Sequence, residues 1–356
     1  MTATVSPPLI TFAIIGYKQE RFIAEAIAGA FAQTYSPLEI ILSDDCSPDA
    51  TFAIMQRMAA EYRGPHKIVL NRNAKNSGIV GHVNRVAELA SSELIVIAAG
   101  DDISLPERTT ISAEAWEKSG RRATSIHGRF VMIDHEGRET GEEKKITWPR
   151  PTTPVSRQLV TPLEFVRVLQ PSVQGSCHAF AKRLFTELGP LPSYLTYEDI
   201  ALAFRSVLAG EIYYVDEVLV RYRRHGENSY APLDGDVIAN REQLRAYHQQ
   251  VARENGRYAR LYDGFFADVE HLRQAGKLTE AEASPLQTEI ARVRHPYRLK
   301  STLVESSLGR RLRAAWELLQ RGGHGKFVVE RLLPRVLYES IYFSKRRLGQ
   351  RRSAER

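Results

Sequence analysis

The stretch "LIVIAAGDDISLPER", residues 94–108, joins an apolar run to two adjacent carboxylates and then to a proline. The β-branched and small apolar residues at 93–99 predict a buried strand. Asp101 and Asp102 follow the end of that strand, and Pro106 suits the first turn of a helix that runs to about Ser119. Adjacent carboxylates repel each other, so this pair requires a cation or hydrogen-bond donors nearby.

The chain on the N-terminal side of this stretch repeats the same alternation of strand and helix. Apolar runs predict strands at 9–15, 38–45 and 67–71, and 3.6-residue periodicity predicts helices at 21–33, 50–61 and 77–90. Strands that alternate with helices in this way form a parallel sheet with helices on both faces. The first 120 residues are therefore predicted to be an α/β unit.

The pattern changes after Gly120. We predict strands at 123–134 and 176–182, one or two strands at 212–223, and a helix at 197–209. The polar, proline-rich segment 142–160 is a loop or a β excursion, and Thr161 with Glu164 predicts a capping box for a short helix. From about Leu233 only helical patterns occur. Breaks between these helices are expected near Gly256, Gly276, Pro296, Gly322–Gly323 and Pro334. A domain boundary is predicted near residue 230.

The bulk composition sets the class of protein. The chain has 356 residues, 43% of them apolar, which is enough for a large core. Cys46 and Cys177 have no metal-type spacing, which favours a reducing compartment. The N-terminus "MTATVSPPLITFAII" lacks a basic region, so it does not predict a signal peptide. No run of 18 apolar residues occurs, and the expected location is cytoplasmic.

The net charge of +7 is unevenly distributed. Residues 298–356 carry 15 Lys and Arg against five Asp and Glu, a net charge of +10. Residues 1–297 carry 34 basic and 37 acidic side chains, a net charge of −3. The basic character is therefore a property of the C-terminal tail and says nothing about the substrate of the rest of the chain.

Three acidic pairs stand at ends of predicted elements: Asp44-Asp45, Asp101-Asp102 and Glu198-Asp199. Ligands of open parallel sheets bind at the carboxyl ends of the strands, and a hard divalent cation prefers carboxylate and phosphate oxygens. A metal–diphosphate site is one interpretation. The alternative is that each pair only ends a strand and caps a helix, and Asp44-Asp45 is also compatible with a phosphoacceptor receiver domain.

Five segments in order resemble family-2 glycosyltransferases, over roughly residues 9–230. They are "FAQTYSPLEIILSDDCSPDAT", the one segment that contains Asn76–Gly78 and His82–Ala90, "AAGDDISLPER", "YEDIALAFR" and "VRYRRHGENS". The resemblance implies the GT-A fold: a mixed, mainly parallel sheet flanked by helices, here with a C-terminal helical extension. It implies a catalytic domain over 1–230, with a nucleotide-binding half at 9–120 and an acceptor half at 121–230. Residues 231–356 would be a basic helical region.

The resemblance also implies roles for individual residues. Those expected to bind the nucleotide sugar are Tyr17, Glu20, Asp45, Asn76, Gly78, Asp101 and Asp102. Tyr17 would stack on the base and Asp45 would accept a hydrogen bond from its ring. Asp102, in a DXD-type element, would bind Mn²⁺ or Mg²⁺ together with His225. Arg223 or Arg224 would pair with phosphate.

The catalytic residue implied by the resemblance is Asp199, as the general base of an inverting transfer. Glu198 would orient that base or touch the acceptor, and Gln174, Gly175 and Ser176 would line the acceptor cleft. The implied enzyme is a metal-dependent transferase that uses a nucleotide-diphosphate sugar, with UDP favoured, in bacterial surface polysaccharide or glycoconjugate synthesis. The alternatives are a catalytically silent GT-A-like scaffold and a nucleotidyltransferase of similar topology.

The basic tail mixes arginines with apolar and aromatic residues, Trp316 among them. Basic amphipathic helices of this kind lie on anionic membranes, which predicts a peripheral position at the inner face of the cell membrane. The alternative is a helical subdomain that packs on the catalytic core or on a second subunit of a homo-oligomer. No nucleic-acid-binding motif is present, so nucleic acid is not an expected partner.

Overall fold

Four parallel strands form the first half of a ten-stranded sheet in the computed structural model, which describes residues 6–144, 155–169, 173–226, 241–305, 307–325 and 327–328. They are β1 (Ile10–Gly16), β2 (Leu38–Asp44), β3 (Lys67–Arg72) and β4 (Leu94–Ala99), in the spatial order β3-β2-β1-β4. The helices between and after them are α1 (Ile23–Phe31), α2 (Thr51–Glu61), α3 (Gly78–Leu89) and α4 (Arg108–Lys118). The predicted alternation is confirmed, because β1, β2 and β4 are apolar runs buried within the sheet.

The second half of the sheet contains strands that run in both directions. These are β5 (Ile103–Ser104), β6 (Ala123–Ile133), β7 (Glu139–Lys144), β8 (Val155–Gln158), β9 (His178–Ala181) and β10 (Glu211–Arg223). The order continues β4-β9-β6-β10-β5, with β9 antiparallel to both neighbours and β10 parallel to β6. The longest strands pair in parallel, so the sheet is mixed and mainly parallel, as expected. For the segment 142–160, predicted as a loop or a β excursion, β7 and β8 place β structure at residues 142–144 and 155–158, and residues 145–154 lie outside the described part of the chain.

Shorter helices connect these strands. They are α5 (Pro162–Val168), α6 (Arg183–Thr186) and α7 (Glu198–Ala209), with a single 3₁₀ turn at Gly175–Cys177. The predicted capping box is present: Glu164 donates its N–H to Thr161 Oγ1 at 3.2 Å, and Glu164 Oε2 accepts the Thr161 N–H at 2.9 Å. This box begins α5 at the proline that follows Thr161.

The C-terminal part is helical, with α8 (Arg241–Gln274), α9 (Glu280–Glu305) and α10 (Leu308–Gln320). The predicted breaks at Gly276 and Gly322 are confirmed, and both glycines have positive φ angles, of 69° and 71°. The predicted breaks at Gly256 and Pro296 are wrong, because α8 and α9 run through them. The break predicted at Pro334 lies outside the described residues.

Packing explains why these two helices continue. A Cβ atom on Gly256 would lie 3.2 Å from Ser301 Oγ, so the glycine allows α9 to approach α8 closely. The Tyr297 ring, next to Pro296, stacks on Tyr258 and Tyr262 of α8 with centroids 5.2 and 5.8 Å apart. These contacts offset the helix-breaking tendency of glycine and proline.

The chain divides into two compact units. One comprises Met1–Asn228 with Gly264–Glu289, and contains the sheet. The other comprises Ser229–Asp263 with Ile290–Arg356, and contains a cluster of Leu299, Leu303, Ala314, Ala315, Leu318 and Val328. Among the described helices, none is both long enough and apolar enough to cross a bilayer.

Candidate active site

The carboxyl ends of three neighbouring strands bring the first two acidic pairs to one edge of the sheet. Gly16, the last residue of β1, is in register with Asp44 at the end of β2, and Ile15 is in register with Ala99 at the end of β4. Tyr17, Asp45 and Asp101 follow these strand ends directly or within two residues. The geometry therefore assembles the predicted nucleotide side of the site at the edge where α/β sheets bind ligands.

Asp102 is a buried carboxylate, and one of its two oxygens has no hydrogen-bond partner among the described residues. Its Oδ1 accepts the main-chain N–H of Arg223 at 2.8 Å, while Oδ2 is buried and has no hydrogen-bond partner in the described part of the chain. Burial, followed by the charge of Asp101, raises the pKa of Asp102 well above its ordinary value. A hard divalent cation suits such an oxygen, because it would stabilise the ionised form that burial disfavours.

Asp101 pairs with His225 instead of with a main-chain donor. His225 Nε2 lies 3.1 Å from Asp101 Oδ2, and the His225 ring lies 4.8 Å from that of Phe22. Within the described residues, no group of three or more His, Cys, Asp or Glu is placed to hold a metal ion. A cation at Asp102 would therefore take the rest of its ligands from diphosphate oxygens and water.

Arg223 lies at the site with contacts that the sequence interpretation did not predict. Expected at phosphate, its side chain is instead completely buried, and its guanidinium lies 4.9 Å from the Phe22 ring centroid. Nε donates to the Asp101 carbonyl at 2.9 Å and Nη2 donates to Glu25 Oε2 at 2.9 Å. Through these side-chain bonds and its main-chain hydrogen bond to Asp102, Arg223 connects the Asp101–Asp102 loop to Glu25 of α1. No signal in the sequence links Glu25 with Arg223, since 198 residues separate them.

Asp45 organises the loop that leads into α3. Its two oxygens accept from Asn73 Nδ2 at 2.7 Å, from the Ser77 N–H and hydroxyl, and from the Gly78 N–H at 2.9 Å. Burial raises the pKa of Asp45, but hydrogen bonds from Asn73 and Ser77 outweigh it, so the pKa lies below its ordinary value. Asn76 Oδ1 also accepts the Gly78 N–H, and Gly78 begins α3 with a φ of 71°. Asp45 was expected to accept a hydrogen bond from the nucleotide base, but its oxygens already accept hydrogen bonds from Asn73, Ser77 and Gly78.

Tyr17 and Glu20 lie beside this loop on the segment after β1. Tyr17 is 40% exposed, which leaves its ring accessible for stacking, and Lys18 Nζ lies 5.4 Å from its centroid. Glu20 Oε2 accepts the Ala50 N–H at 2.9 Å, so this carboxylate satisfies a donor at the start of α2. Lys18 adopts a φ of 57°, an uncommon value for a residue with a side chain.

A cleft of about 400 Å³ holds the remaining predicted residues. Gly175, Ser176, Glu198 and Asp199 line it, together with apolar side chains from β1, β4, α3 and α7 and with His178 and Phe180. A Cβ on Gly175 would lie 3.0 Å from Glu198 Oε1, so a side chain there would crowd the carboxylates. Gln174 precedes this turn and its carbonyl accepts the Cys177 N–H at 3.1 Å, which fixes the turn beneath the cleft.

The carboxylates in the cleft hold their protons more tightly than usual. Burial, followed by repulsion from Asp199, raises the pKa of Glu198 to about 8. Burial raises the pKa of Asp199 to about 6, although the Ile200 N–H donates to its Oδ1 at 2.8 Å. Burial and mutual repulsion therefore favour one proton and one negative charge on the pair near neutral pH. Such a pair provides one hydrogen-bond donor and one base at neutral pH.

The fold is of the GT-A type, with acidic residues at the carboxyl edge of a mixed, mainly parallel sheet. The structure of Staphylococcus aureus TarS 1–349 in complex with UDP-GlcNAc has the same fold, with a TM-score of 0.55 and 14% sequence identity over 90% of this chain and 82% of that one. Residues 11–173 match the family model "Glycosyl transferase family 2".

Curated relatives are similar to this chain over part of their length. An uncharacterized glycosyltransferase of Rickettsia felis is 25% identical over 223 residues, which are 62% of this chain and 35% of that protein. An uncharacterized protein of Mycobacterium tuberculosis is 26% identical over 216 residues, 59% of this chain and 57% of that protein. The chain thus matches between one third and three fifths of the length of these relatives.

Proposed function

We propose that the protein transfers a sugar, with inversion, from a nucleotide-diphosphate sugar to a hydroxyl acceptor. The observation that carries this proposal is a single cleft lined by Asp199 and Glu198 that extends to Ala99, two residues before Asp101. Glycosyl transfer requires a base at the acceptor and stabilisation of the departing diphosphate. The two acidic centres supply groups suited to both requirements.

In the proposed reaction Asp199 removes the proton of the acceptor hydroxyl while that oxygen bonds to the anomeric carbon. The bond from the anomeric carbon to the diphosphate oxygen breaks, and its electron pair leaves with the nucleoside diphosphate. Attack on the face opposite to the leaving group inverts the configuration. The raised pKa of Asp199 makes it a stronger base than an ordinary aspartate while leaving it ionised at neutral pH.

Asp102 is the proposed protein ligand for Mn²⁺ or Mg²⁺, because its Oδ2 is buried without a donor in the described residues. When bound, the cation would neutralise charge on the diphosphate. His225 is the second proposed ligand. To bind the ion, its Nε2 would have to give up the present 3.1 Å contact with Asp101 Oδ2. Arg223 would keep Asp102 in place through its main-chain N–H.

The proposed donor site comprises Tyr17, Glu20, Asp45, Asn76, Gly78, Asp101 and Asp102, with a UDP-sugar favoured. The exposed ring of Tyr17 supports a stacking contact with the base. A hydrogen bond from a base N–H to Asp45 would have to displace a donor of the Asn73–Gly78 loop. TarS, which shares the fold, was solved with UDP-GlcNAc bound.

The proposed acceptor residues are Gln174, Gly175, Ser176 and Glu198. Glu198 would donate its proton in a hydrogen bond to the acceptor, since its raised pKa keeps it protonated at neutral pH. We assign catalysis to residues 1–230 and the setting to bacterial surface polysaccharide or glycoconjugate synthesis. The basic region 231–356 would hold the enzyme at the inner face of the cell membrane.

A donor screen tests this function. UDP-, GDP- and TDP-sugars are incubated with the protein and Mn²⁺ or with excess chelator, and release of the nucleoside diphosphate is measured. We expect slow, metal-dependent hydrolysis of one donor class, which Asp102→Asn reduces by at least about a hundredfold. Asp216→Asn, an exposed aspartate paired with Arg129, is the matched control and should behave like the wild type. Hydrolysis that persists in chelator would contradict the role of Asp102.

A further inference from the structure

Helix α10 presents two apolar faces, and only one of them is buried. Ala314, Ala315 and Leu318 are buried against Leu299 and Leu303 of α9. This face accounts for the attachment of α10 to its own unit. It leaves other apolar side chains of the helix exposed.

The second face is an exposed stripe, which we call the α10 stripe, of Leu308, Leu312, Trp316 and Leu319. These side chains are 66%, 53%, 64% and 47% exposed. Their spacing of three and four residues places them along one side of the helix. Four large apolar side chains in one exposed row are unusual on a surface that faces only water, and such a row marks an interaction surface.

The exposed charged side chains of α10 and of the turn after it are mainly positive. Arg310, Arg313 and Arg321 are exposed, and Glu317 is the single acidic residue between 308 and 321. His295 Nε2 lies 3.2 Å from Glu317 Oε2, so this carboxylate is occupied by a neighbour within the same unit. Outside its buried face, α10 therefore combines an apolar row that contains one tryptophan with exposed arginines, of which Arg313 lies nearest to Trp316 around the helix.

We propose that the α10 stripe docks on an anionic lipid surface, with the leucines and Trp316 among the upper acyl chains and the arginines at the phosphates. A second copy of the chain fits less well, because two α10 faces would bring arginines of like charge together. An anionic bilayer instead supplies the missing negative charge, and tryptophan favours the boundary between headgroups and acyl chains. The inference deepens the proposed function by naming the surface that would hold the enzyme at a membrane.

Vesicle sedimentation with the full-length chain tests the proposal. We expect binding to vesicles of phosphatidylglycerol and phosphatidylcholine, little binding to phosphatidylcholine alone, and weaker binding as salt is raised. The double variant Leu312→Glu, Trp316→Glu should reduce vesicle binding by at least about tenfold, because it removes apolar burial and adds two like charges to the lipid surface. Leu159→Glu is the control, since Leu159 is 74% exposed and lies far from α10 in sequence.

Two results would overturn the proposal. One is full-length protein that ignores the anionic vesicles at low salt. The other is a double variant that binds them as the wild type does, or that changes only the oligomeric state in light scattering. Donor hydrolysis is also measured without vesicles. The double variant should hydrolyse the donor as the wild type does, whether or not α10 binds lipid, so a failure of the docking proposal can be told apart from a failure of the proposed sugar transfer.

Discussion

Arg223 is a buried cation whose desolvation is offset by several partners at once. Nη1 donates to the Asp134 and His135 carbonyls, each at 3.3 Å, in addition to the bonds with Glu25 and Asp101. Breaking a buried pair by removing one partner leaves an uncompensated charge, so this arrangement requires all of its members. The consequence at the site is a fixed position for the Asp101–Asp102 loop.

We expect Arg223→Lys to weaken the binding of UDP with Mn²⁺ by about tenfold, because an ammonium cannot replace the planar five-donor guanidinium. Calorimetry measures the affinity, and a melting curve shows that the variant is folded. Arg221→Lys, on the same strand and paired with Glu139 at an exposed position, should change neither. A variant of Arg223 that melts earlier yet binds as the wild type does would restrict Arg223 to a structural role.

The carboxylate pair in the cleft predicts the pH dependence of transfer. Because Asp199 must be ionised to act as a base, the rate should fall as the pH drops below about 6. Glu198→Gln keeps a neutral donor, so the acid limb should stay near pH 6, while any change in rate near pH 8 should disappear. The measurement is a pH–rate profile of both proteins. An acid limb that moves by more than a unit in Glu198→Gln would show that Glu198 is ionised at neutral pH.

His127 links acidity to stability. It is fully buried, neither ring nitrogen has a hydrogen-bond partner in the described residues, and burial lowers its pKa to about 3. The unfolded chain takes up this proton near pH 6.5, so stability is full above that pH and falls as the pH is lowered toward 3. At pH 5 the loss from this residue is about 2 kcal/mol.

The variant His127→Phe should remove that part of the pH dependence, because it keeps the ring contact with Tyr214 and deletes the titrating group. Denaturant unfolding at pH 7.5 and pH 5 measures the difference in free energy for both proteins. An undiminished loss of stability in His127→Phe would assign the acid sensitivity to other buried groups such as His178, whose pKa is also lowered by burial.

At the scale of elements, the sequence predicts the first half of the sheet well. Apolar runs such as 38–44 can only be strands buried on both faces, and they appear with boundaries within about two residues. Strand β5 was not predicted, because two residues carry no periodicity. The antiparallel direction of β9 also has no local signal, since it depends on pairing with β4 and β6 across the chain. The continuity of helices α8 and α9 could not be predicted from local sequence either, because tertiary contacts outweigh the helix-breaking tendency of Gly256 and Pro296.

Gly128 determines how β6 packs beside β10. A Cβ on Gly128 would lie 2.7 Å from Leu219 Cδ1 and 2.9 Å from Val215 Cγ2, and both side chains are buried. Gly128→Ala should therefore destabilise the fold by about 1–3 kcal/mol through overpacking. Gly309→Ala, on α10 where the Cβ meets open space, should be neutral or slightly stabilising. Thermal unfolding compares the two variants, and equal melting temperatures would contradict the packing argument.

At the scale of the whole molecule, charge distribution indicated that the tail differs from the rest of the chain. It could not indicate that α10 has one buried and one exposed apolar face, because that division depends on α9. The acidic pairs likewise pointed to one edge of the sheet, but not to the burial of Arg223 or to the donors that surround Asp45. Sequence motifs identify the carboxylates. Their hydrogen-bond partners come from distant segments of the chain and can be identified only from the folded structure.

The variant Asp199→Asn tests whether Asp199 is the general base of the transfer. The measurement is sugar transfer from the donor found in the screen, alongside calorimetry of its nucleoside diphosphate with Mn²⁺. We predict that transfer falls by about 10²- to 10⁴-fold while nucleotide affinity stays within about twofold of the wild type, because the amide keeps the shape and loses the base. Transfer at the wild-type rate would contradict the account and move the base to Glu198.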